Sequence, residues 1–374
     1  MSAIEVMPLT LPRDALRLVR FCWTVYGDDP HWVPPLLFER KTFLDPARNP
    51  FFQHAEVQCF VATRGGRDVG TISAQIDRYY DEVEPNVGFF GFFEFIDDER
   101  VAGALLEAAC AWLAERGRTT ARGPCNFTTN HESGLLVDGF DSDPLVLMTF
   151  NRPYYPRIYD ALGLRKAQDL YAYWLDQGPV PERIARIATR CEERTRGLTI
   201  RPIDKGRWRQ ELALAKEIYN DAWEDNWGFV KLDDAEFEAV AEGLKPMLDP
   251  RLSWLAEIDG EPAAFAVCLP DYNRVVKPMN GRVFPIGWYH WLTKPSQIDQ
   301  LRVFLLGVKR KFQKVPLGAP LYVRIWESGQ QMGVRGAEAS WILEDNTRMR
   351  GALEKLGAKI YKTYRIYEFP LTPR

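Results

Sequence analysis

A cation-rich turn ending in glycine, Gln313-Lys314-Val315-Pro316-Leu317-Gly318, lies between an apolar run (301–308) and a helical stretch that continues to about residue 327. A helix that starts at such a turn offers free backbone N–H groups and the positive end of its dipole, so it can hold a phosphate. Pro316 has no N–H to give, and Lys309, Arg310, Lys311 and Lys314 can compensate by charge. Glu344 closes a strand-like segment (337–343), the end at which open α/β sheets place ligands, and is the first candidate for a proton acceptor. Its alternative role is a helix-capping carboxylate beside Asn346. Asp271, at the end of a hairpin, is the second candidate, with an Asx-turn as its alternative. His131 is the third, together with His54. It sits in a loop (125–143) that is long for a plain connection, although a lone histidine is more often a structural hydrogen-bonding residue. Asn126 in the same loop and Trp288 are candidate substrate contacts. Glu224, Asn226 and Trp227 are either substrate contacts or a polar turn beside a core tryptophan.

The elements that must position these residues can be read from pattern. The apolar run 301–308 predicts a buried strand, and Asn346 and Gly357 bracket a helix over 347–356. An aromatic strand closes the chain over 359–369. Earlier, the spacing predicts a helix at 15–26, a hairpin at 53–63 and 69–77, a strand at 87–95 and a helix from about 97 to 115. The passages NRPYYPRIYDALGLRKAQDLYAY and NTRMRGALEKLGAKIYKTYRIYE share an asparagine start, a Leu-Gly end and an aromatic strand. That similarity predicts an internal duplication: one half over 1–178, a connecting helix over 179–197 and a second half over 198–374. In the first half the strand runs through Asp97-Asp98-Glu99 into its helix, and those acids would repel a phosphate. A coenzyme site there is expected to be degenerate.

Composition narrows the class. The 374 residues are 46% hydrophobic and 26% charged with a net charge of −3, a globular composition that gives no electrostatic case for nucleic acid. Six scattered cysteines and four dispersed histidines give no metal-binding spacing and fit a reducing cytoplasm. The first fourteen residues show no signal-peptide pattern. Twelve Trp, fifteen Tyr and twenty-one Phe must fill a large core or line a wide apolar site. In KPMNGRVFPIGWYHWLTK (277–294), aromatics between Arg282 and Lys294 suit either a membrane interface or an insertion packed into the core.

The order of strand, glycine turn, helix, strand, helix and strand resembles the coenzyme A-binding core of the GNAT acyltransferases. The implied fold is α/β (α+β): tandem GNAT-like domains, each a mixed, mostly antiparallel sheet flanked by helices. On that resemblance Leu306, Val308, Gln313, Lys314, Leu317, Gly318, Ala319 and Asn346 would line an acyl-CoA site, with no tightly bound cofactor and no metal. The tyrosine that serves the leaving thiolate in many such enzymes is replaced by Leu353. The matching position in the first half is Tyr159, and Tyr361 or Tyr364 could take the role. DPHWVPPL with NPFFQHAE, GLLVDGF with NRPYYPRIYDALG, and RVFPIGWYHWL leading to SWILEDNTRM together resemble the two-domain group that includes the bacterial ceramide synthases. That resemblance implies transfer of a long acyl chain from acyl-CoA to the amine of a sphingoid base, in the cytoplasm or at the cytoplasmic face of the inner membrane. Three other readings stay open: a small-molecule N-acetyltransferase using acetyl-CoA, an aminoacyl-tRNA-dependent ligase, and a non-catalytic acyl-CoA-binding module.

Overall fold

The computed structural model describes residues 2–285, 287–293 and 295–371. In chain order the main elements are β1 (Ile4–Leu9), α1 (Ala15–Tyr26), α2 (Leu37–Phe43), β2 (Ala55–Arg64), β3 (Arg67–Asp77), β4 (Val87–Phe95), α3 (Glu99–Ala114), β5 (Thr120–Gly123), β6 (Cys125–Asn126), β7 (Glu132–Ser133), β8 (Leu135–Asp138), α4 (Tyr155–Ala161) and β9 (Arg165–Asp176). They continue with α5 (Glu182–Arg194), β10 (Leu198–Pro202), α6 (Trp208–Ala222), α7 (Asp234–Leu244), β11 (Ser253–Ile258), β12 (Glu261–Pro270), α8 (Asn273–Val276), α9 (Gly287–Thr293), β13 (Gln300–Val308), α10 (Gly318–Met332), β14 (Gly336–Leu343), α11 (Thr347–Lys355) and β15 (Lys359–Pro370). The chain forms two compact units. The first comprises the residues up to Tyr171, Val275–Thr293 and the residues from Lys362 onward; the second comprises Ala172–Arg274 and the residues up to Tyr361 that follow Thr293.

In the first unit β1 to β4 form an antiparallel run. β4 then pairs parallel with β5, and α3 is the crossover that a parallel pair requires. Asp98 caps α3 by accepting the Arg100 N–H at 3.0 Å. Val101, Leu105, Ala109 and Leu113 recur at helical spacing and are wholly buried. Gly70 of β3 leaves room for this helix: a Cβ there would meet Leu105 at 2.6 Å. The C-terminal strand completes this unit. Its residues 367–370 pair with β5 and its residues 363–365 with β8. The segment 275–293 belongs here as well, held by Trp23 Nε1 to Asn280 Oδ1 at 2.7 Å, Leu37 N to the Gly281 carbonyl at 3.0 Å and Lys277 Nζ to Asp143 at 2.5 Å. The compact units thus cut across the expected halves 1–178 and 198–374: hydrogen bonding to β5 and β8 takes the end of the chain into the first unit.

In the second unit β10 to β13 are antiparallel and β13 pairs parallel with β14 across α10. β12 shows why the sheet is covered on both faces. Ala264, Ala266 and Cys268 pack with Leu317, Leu321 and Ile325 at α10, while Phe265 and Val267 pack with Ile218 of α6. The expected strand at 87–95 and the helix at 15–26 match the structure residue for residue. β1 lay unrecognised in a stretch read as leading directly to the first helix.

Close backbone approach fixes Gly91 of β4. A Cβ at that position would lie 1.9 Å from the Cys125 carbonyl oxygen. Gly91→Ala is therefore expected to lower stability by about 2 kcal/mol or more, the scale of an overpacked core. An unchanged urea midpoint would show that β4 and residue 125 can separate at no cost.

Candidate active site

Each unit contains a parallel strand pair that is hydrogen-bonded at one end and parts at the other. In the second unit β13 and β14 are paired only over 300–303 and 336–339. β13 carries a register shift opposite Val267 and Cys268, at Phe304. Past the ladder, Phe304, Leu306 and Val308 of β13 and Trp341 and Leu343 of β14 are half-buried, so this wedge has apolar, accessible walls. The closed end of the ladder is held by a buried network. Arg302 donates to Ser340 Oγ at 3.0 Å, Ser340 donates to Glu338 at 2.5 Å, and the Tyr361 hydroxyl donates to the other Glu338 oxygen.

The basic turn leads into α10 as the pattern predicts, with Gly318 its first residue. Leu317 is wholly buried in the core, and the Ala319 N–H goes to the Pro316 carbonyl at 3.1 Å. The Gly318 N–H has no hydrogen-bond partner among the described residues. A Cβ there would meet nothing nearer than Leu306 Cδ2 at 3.8 Å. The turn's charge is mostly answered from within the protein. Lys309 pairs with Glu217 at 2.7 Å and Glu261 at 3.3 Å, Arg310 with Asp221 and Glu224, and Lys311 with Glu261. Lys314 is exposed and has no ion pair among the described residues. Gln313 is exposed too, its carbonyl accepting from Arg348 at 3.2 Å.

The other candidates of the second unit occupy distinct places. Glu344 is half-buried in the turn after β14, its carbonyl accepting from Arg350 at 2.6 Å. Asn346 caps α11 by accepting the Met349 N–H at 3.0 Å. Asp271 is 2% exposed and accepts the Asn273 N–H at 3.3 Å, an Asx-turn. Glu224 pairs with Lys231 at 2.7 Å as well as with Arg310, and the Lys231 hydrogen bond followed by the Arg310 charge holds its carboxyl below the usual range. The Asn226 N–H goes to the Trp223 carbonyl at 2.9 Å, and Trp227 is half-buried beside it. Leu353, on α11, is 2% exposed.

His131, Tyr364, Asn126, Tyr159 and Trp288 belong to the first unit. There the gap beyond the β4–β5 ladder is filled. Gln75 Nε2 donates to the Cys125 and Phe127 carbonyls at 2.7 and 2.8 Å, and Phe127 stacks on Phe43 and Phe51. Phe92 bulges from β4 with φ +42°, and its N–H goes to Asn126 Oδ1 at 2.6 Å. Asn126 Nδ2 donates to Glu132 at 3.2 Å, and Glu132 is paired with Arg40. Burial raises the Glu132 pKa, but the Arg40 charge and hydrogen bond outweigh it and leave that carboxyl below its ordinary range. His131 meets Thr128 Oγ1 at 3.2 Å among the rings of Phe43 and Phe51; burial pushes its pKa down to about 4, so it is neutral at pH 7. Tyr364 is wholly buried in β15.

A residue that sequence reasoning did not single out stands at the centre of this group. Glu94 of β4 accepts from the Tyr26 hydroxyl and, at 2.6 Å, from the Tyr155 hydroxyl, both on Oε2. Burial pushes its pKa up to about 7 against the lowering effect of the two tyrosines, with the Glu132 charge adding to the rise. Burial, then the Glu94 charge, raises both tyrosines well above their ordinary value, so they remain donors. The available signal was one carboxylate in an otherwise apolar strand, VGFFGFFEF. Arg40 and Glu132 gave no such signal.

No family model matches the chain. A protein of Caulobacter vibrioides described as bacterial ceramide synthase is 42% identical over 376 aligned residues, spanning 98% of this chain and 97% of its own. The chain belongs to the bacterial ceramide synthase family. Protein YghO of Escherichia coli is 37% identical over 362 residues, 95% of this chain and 92% of its own. Among solved structures, a tandem GNAT protein from the clavulanic acid biosynthesis pathway superposes over the full length of both chains with TM-score 0.58 at 14% identity. A GCN5-related N-acetyltransferase from Sphaerobacter thermophilus covers 99% of this chain and 96% of its own with TM-score 0.54 at 13% identity. The fold is the tandem GNAT fold, and the protein, as a member of the bacterial ceramide synthase family, is an acyltransferase.

The raised Glu94 pKa has a consequence for stability. Between about 4.5 and 7 the folded protein holds a proton on Glu94 that the unfolded chain has released. This contribution is therefore fully present below pH 4.5 and is lost as pH rises through 7. His131, a base pushed down to about 4, has the opposite slope between pH 4 and its ordinary 6.5. The stability difference between wild type and Glu94→Gln should change steadily from pH 4.5 to 7, in the variant's favour. A difference flat across that range, by urea titration at each pH, would place the Glu94 carboxyl in an ordinary environment.

Proposed function

We propose that this protein transfers a long acyl chain from acyl-CoA to the primary amine of a sphingoid base, giving a ceramide-type lipid. The observation that carries the reading is the 42% identity, over nearly the whole of both chains, to a protein described as bacterial ceramide synthase. The second unit supports the donor half. Its open wedge has the apolar walls Phe304, Leu306 and Trp341 for an acyl-pantetheine arm, and the exposed Lys314 and the Gly318 N–H stand at the start of α10 for a phosphate. With Leu353 buried where a thiolate acid would stand, coenzyme A leaves as the thiolate, feasible for a thiol with pKa of roughly 8 to 9. The harder step is removing a proton from the ammonium, and Glu344 beside the wedge is the proposed acceptor.

Gly318→Asp has room for its side chain and should fold, yet should abolish acyl-CoA binding by setting a carboxylate against the phosphates. Arg100→Glu, in the first turn of α3, should leave it intact. Normal calorimetric affinity in the Gly318 variant would remove the coenzyme from this turn. Glu344→Gln should lower kcat by about 10²-fold at unchanged acyl-CoA affinity, the usual scale for loss of a general base. Normal turnover would assign the proton elsewhere.

Both reactants carry long chains, and the surface of the first unit suits a lipid interface. Phe284 is 77% exposed, Leu292 70%, Phe38 60%, Tyr289 53% and Trp288 49%, while Trp288 donates to the Pro285 carbonyl at 2.8 Å. Ile286 and Lys294, part of the same aromatic passage, lie outside the described residues. Among the described residues no helix is long and apolar enough to cross a membrane. A short helix with exposed aromatics beside the exposed Arg282 and Lys41 fits the headgroup region of an anionic bilayer. The protein should sediment with phosphatidylglycerol–phosphatidylethanolamine vesicles, and the triple variant Phe284→Ser, Trp288→Ser, Leu292→Ser should stay in the supernatant. Equal sedimentation of the two would exclude α9 as the contact.

A further inference from the structure

We infer that Glu94 of the first unit, half-buried and held by Tyr26 and Tyr155, binds the ammonium head of a long-chain amine. A carboxylate has about four acceptor positions, and Oε2 of Glu94 takes two hydroxyls while Oε1 has no partner among the described residues. Glu132 nearby has a cation, Arg40; Glu94 has none among the described residues. An uncompensated carboxylate away from bulk water is costly, and an incoming cation would remove that cost. A second, independent observation points to a ligand. Tyr159 lies one helical turn beyond Tyr155 on α4 and is wholly buried, yet its hydroxyl has no hydrogen-bond partner among the described residues. Burial, then the Glu94 charge, raises that hydroxyl well above its ordinary pKa. A free oxygen and a free hydroxyl on one helix face and one strand match a primary ammonium and an adjacent hydroxyl. A phosphate would be repelled. The carboxylate, histidine and cysteine atoms around Glu94 do not gather closely enough to enclose a metal.

Access to this site runs through the same elements as the exposed aromatics. Tyr26 of α1 donates to Glu94 while Trp23, one turn earlier, bonds Asn280. Arg40 of α2 pairs with Glu132 while Leu37 bonds Gly281 and Phe38 is exposed. The last turn of α1 and the first turn of α2 thus touch both the carboxylates and the segment that carries α9, which suits an amphipathic amine arriving from a lipid surface.

The ligand's identity rests on the N-acyltransferase reading; the binding test does not, because it is made without acyl-CoA. Decylamine and decanol are titrated into the full-length protein by calorimetry. The amine should bind at least about tenfold more tightly than the alcohol, and Glu94→Gln should erase that preference, the scale of one charge-assisted hydrogen bond. Glu56→Gln, on an exposed ion pair of β2, should retain it. The groups facing Glu94 are Cys22 and Tyr26 from α1, Tyr154 just before α4, Tyr155 and Tyr159 from α4, and Glu132 from β7, with Arg40 behind it. Burial holds Cys22 and the four tyrosines protonated near neutral pH, and Glu132 is ionised, so amine affinity should rise through one ionisation near pH 7. Equal binding of amine and alcohol to the wild type, an unchanged preference in Glu94→Gln, or an affinity flat from about pH 5.5 to 8 would each overturn the inference. Failure of acyl transfer with amine binding intact would overturn the proposed function alone.

Discussion

Two parallel strands that are hydrogen-bonded at one end and parted at the other leave backbone amides and side chains in a wedge, and something must occupy it. Buried N–H and C=O groups without partners are too costly to leave. This chain builds the arrangement twice, at β4–β5 and at β13–β14. The crossover helices α3 and α10, the glycines that let helix and strand approach, and the bulges at Phe92 and Phe304 all serve the divergence. The first unit fills its wedge with its own chain: residues 125–127 cross at Gly91, and Asn126 takes the bulged N–H. The second leaves aromatic and aliphatic side chains half-buried along its walls.

Charge divides the units further. In the second unit the cations Lys309, Arg310 and Lys311 of the basic turn are held by Glu217, Asp221, Glu224 and Glu261, so on the proposed reading a phosphate would rely on Lys314 and the start of α10. In the first unit Glu132 is paired with Arg40, while Glu94 has no cation partner among the described residues. On the proposed reading the two units would divide the electrostatic needs of joining an acyl-CoA to an amine.

Local pattern made most of the fold legible. Helix spacing and caps placed α1, α3 and α11, and Asn346 caps where a cap was expected. β1 was missed because IEVMPL is short and partly polar, and only its pairing with β2 makes it a strand. The compact units do not follow sequence position, because β15 pairs with β8 and β5 across 225 to 250 residues of chain, as the Arg122–Glu368 pair does across 246. The Glu94 group was illegible for the same reason: Tyr26, Arg40, Glu94, Glu132 and Tyr155 come from five elements. Only Glu94 breaks a local pattern. Conversely, the four cations of the turn read as a phosphate site because the carboxylate partners of Lys309, Arg310 and Lys311 lie on α6, in the turn after it and in a hairpin far off in sequence.

The most direct measurement of the central claim is product identification from a donor panel. Purified protein would be given acetyl-, octanoyl- and palmitoyl-CoA together with sphinganine, with lipids resolved by mass spectrometry and released thiol quantified. The account predicts N-palmitoyl sphinganine with one thiol released per amide formed, and little or no product from acetyl-CoA. N-acetyl sphinganine as the dominant product, or thiol release without an N-acyl lipid, would contradict it.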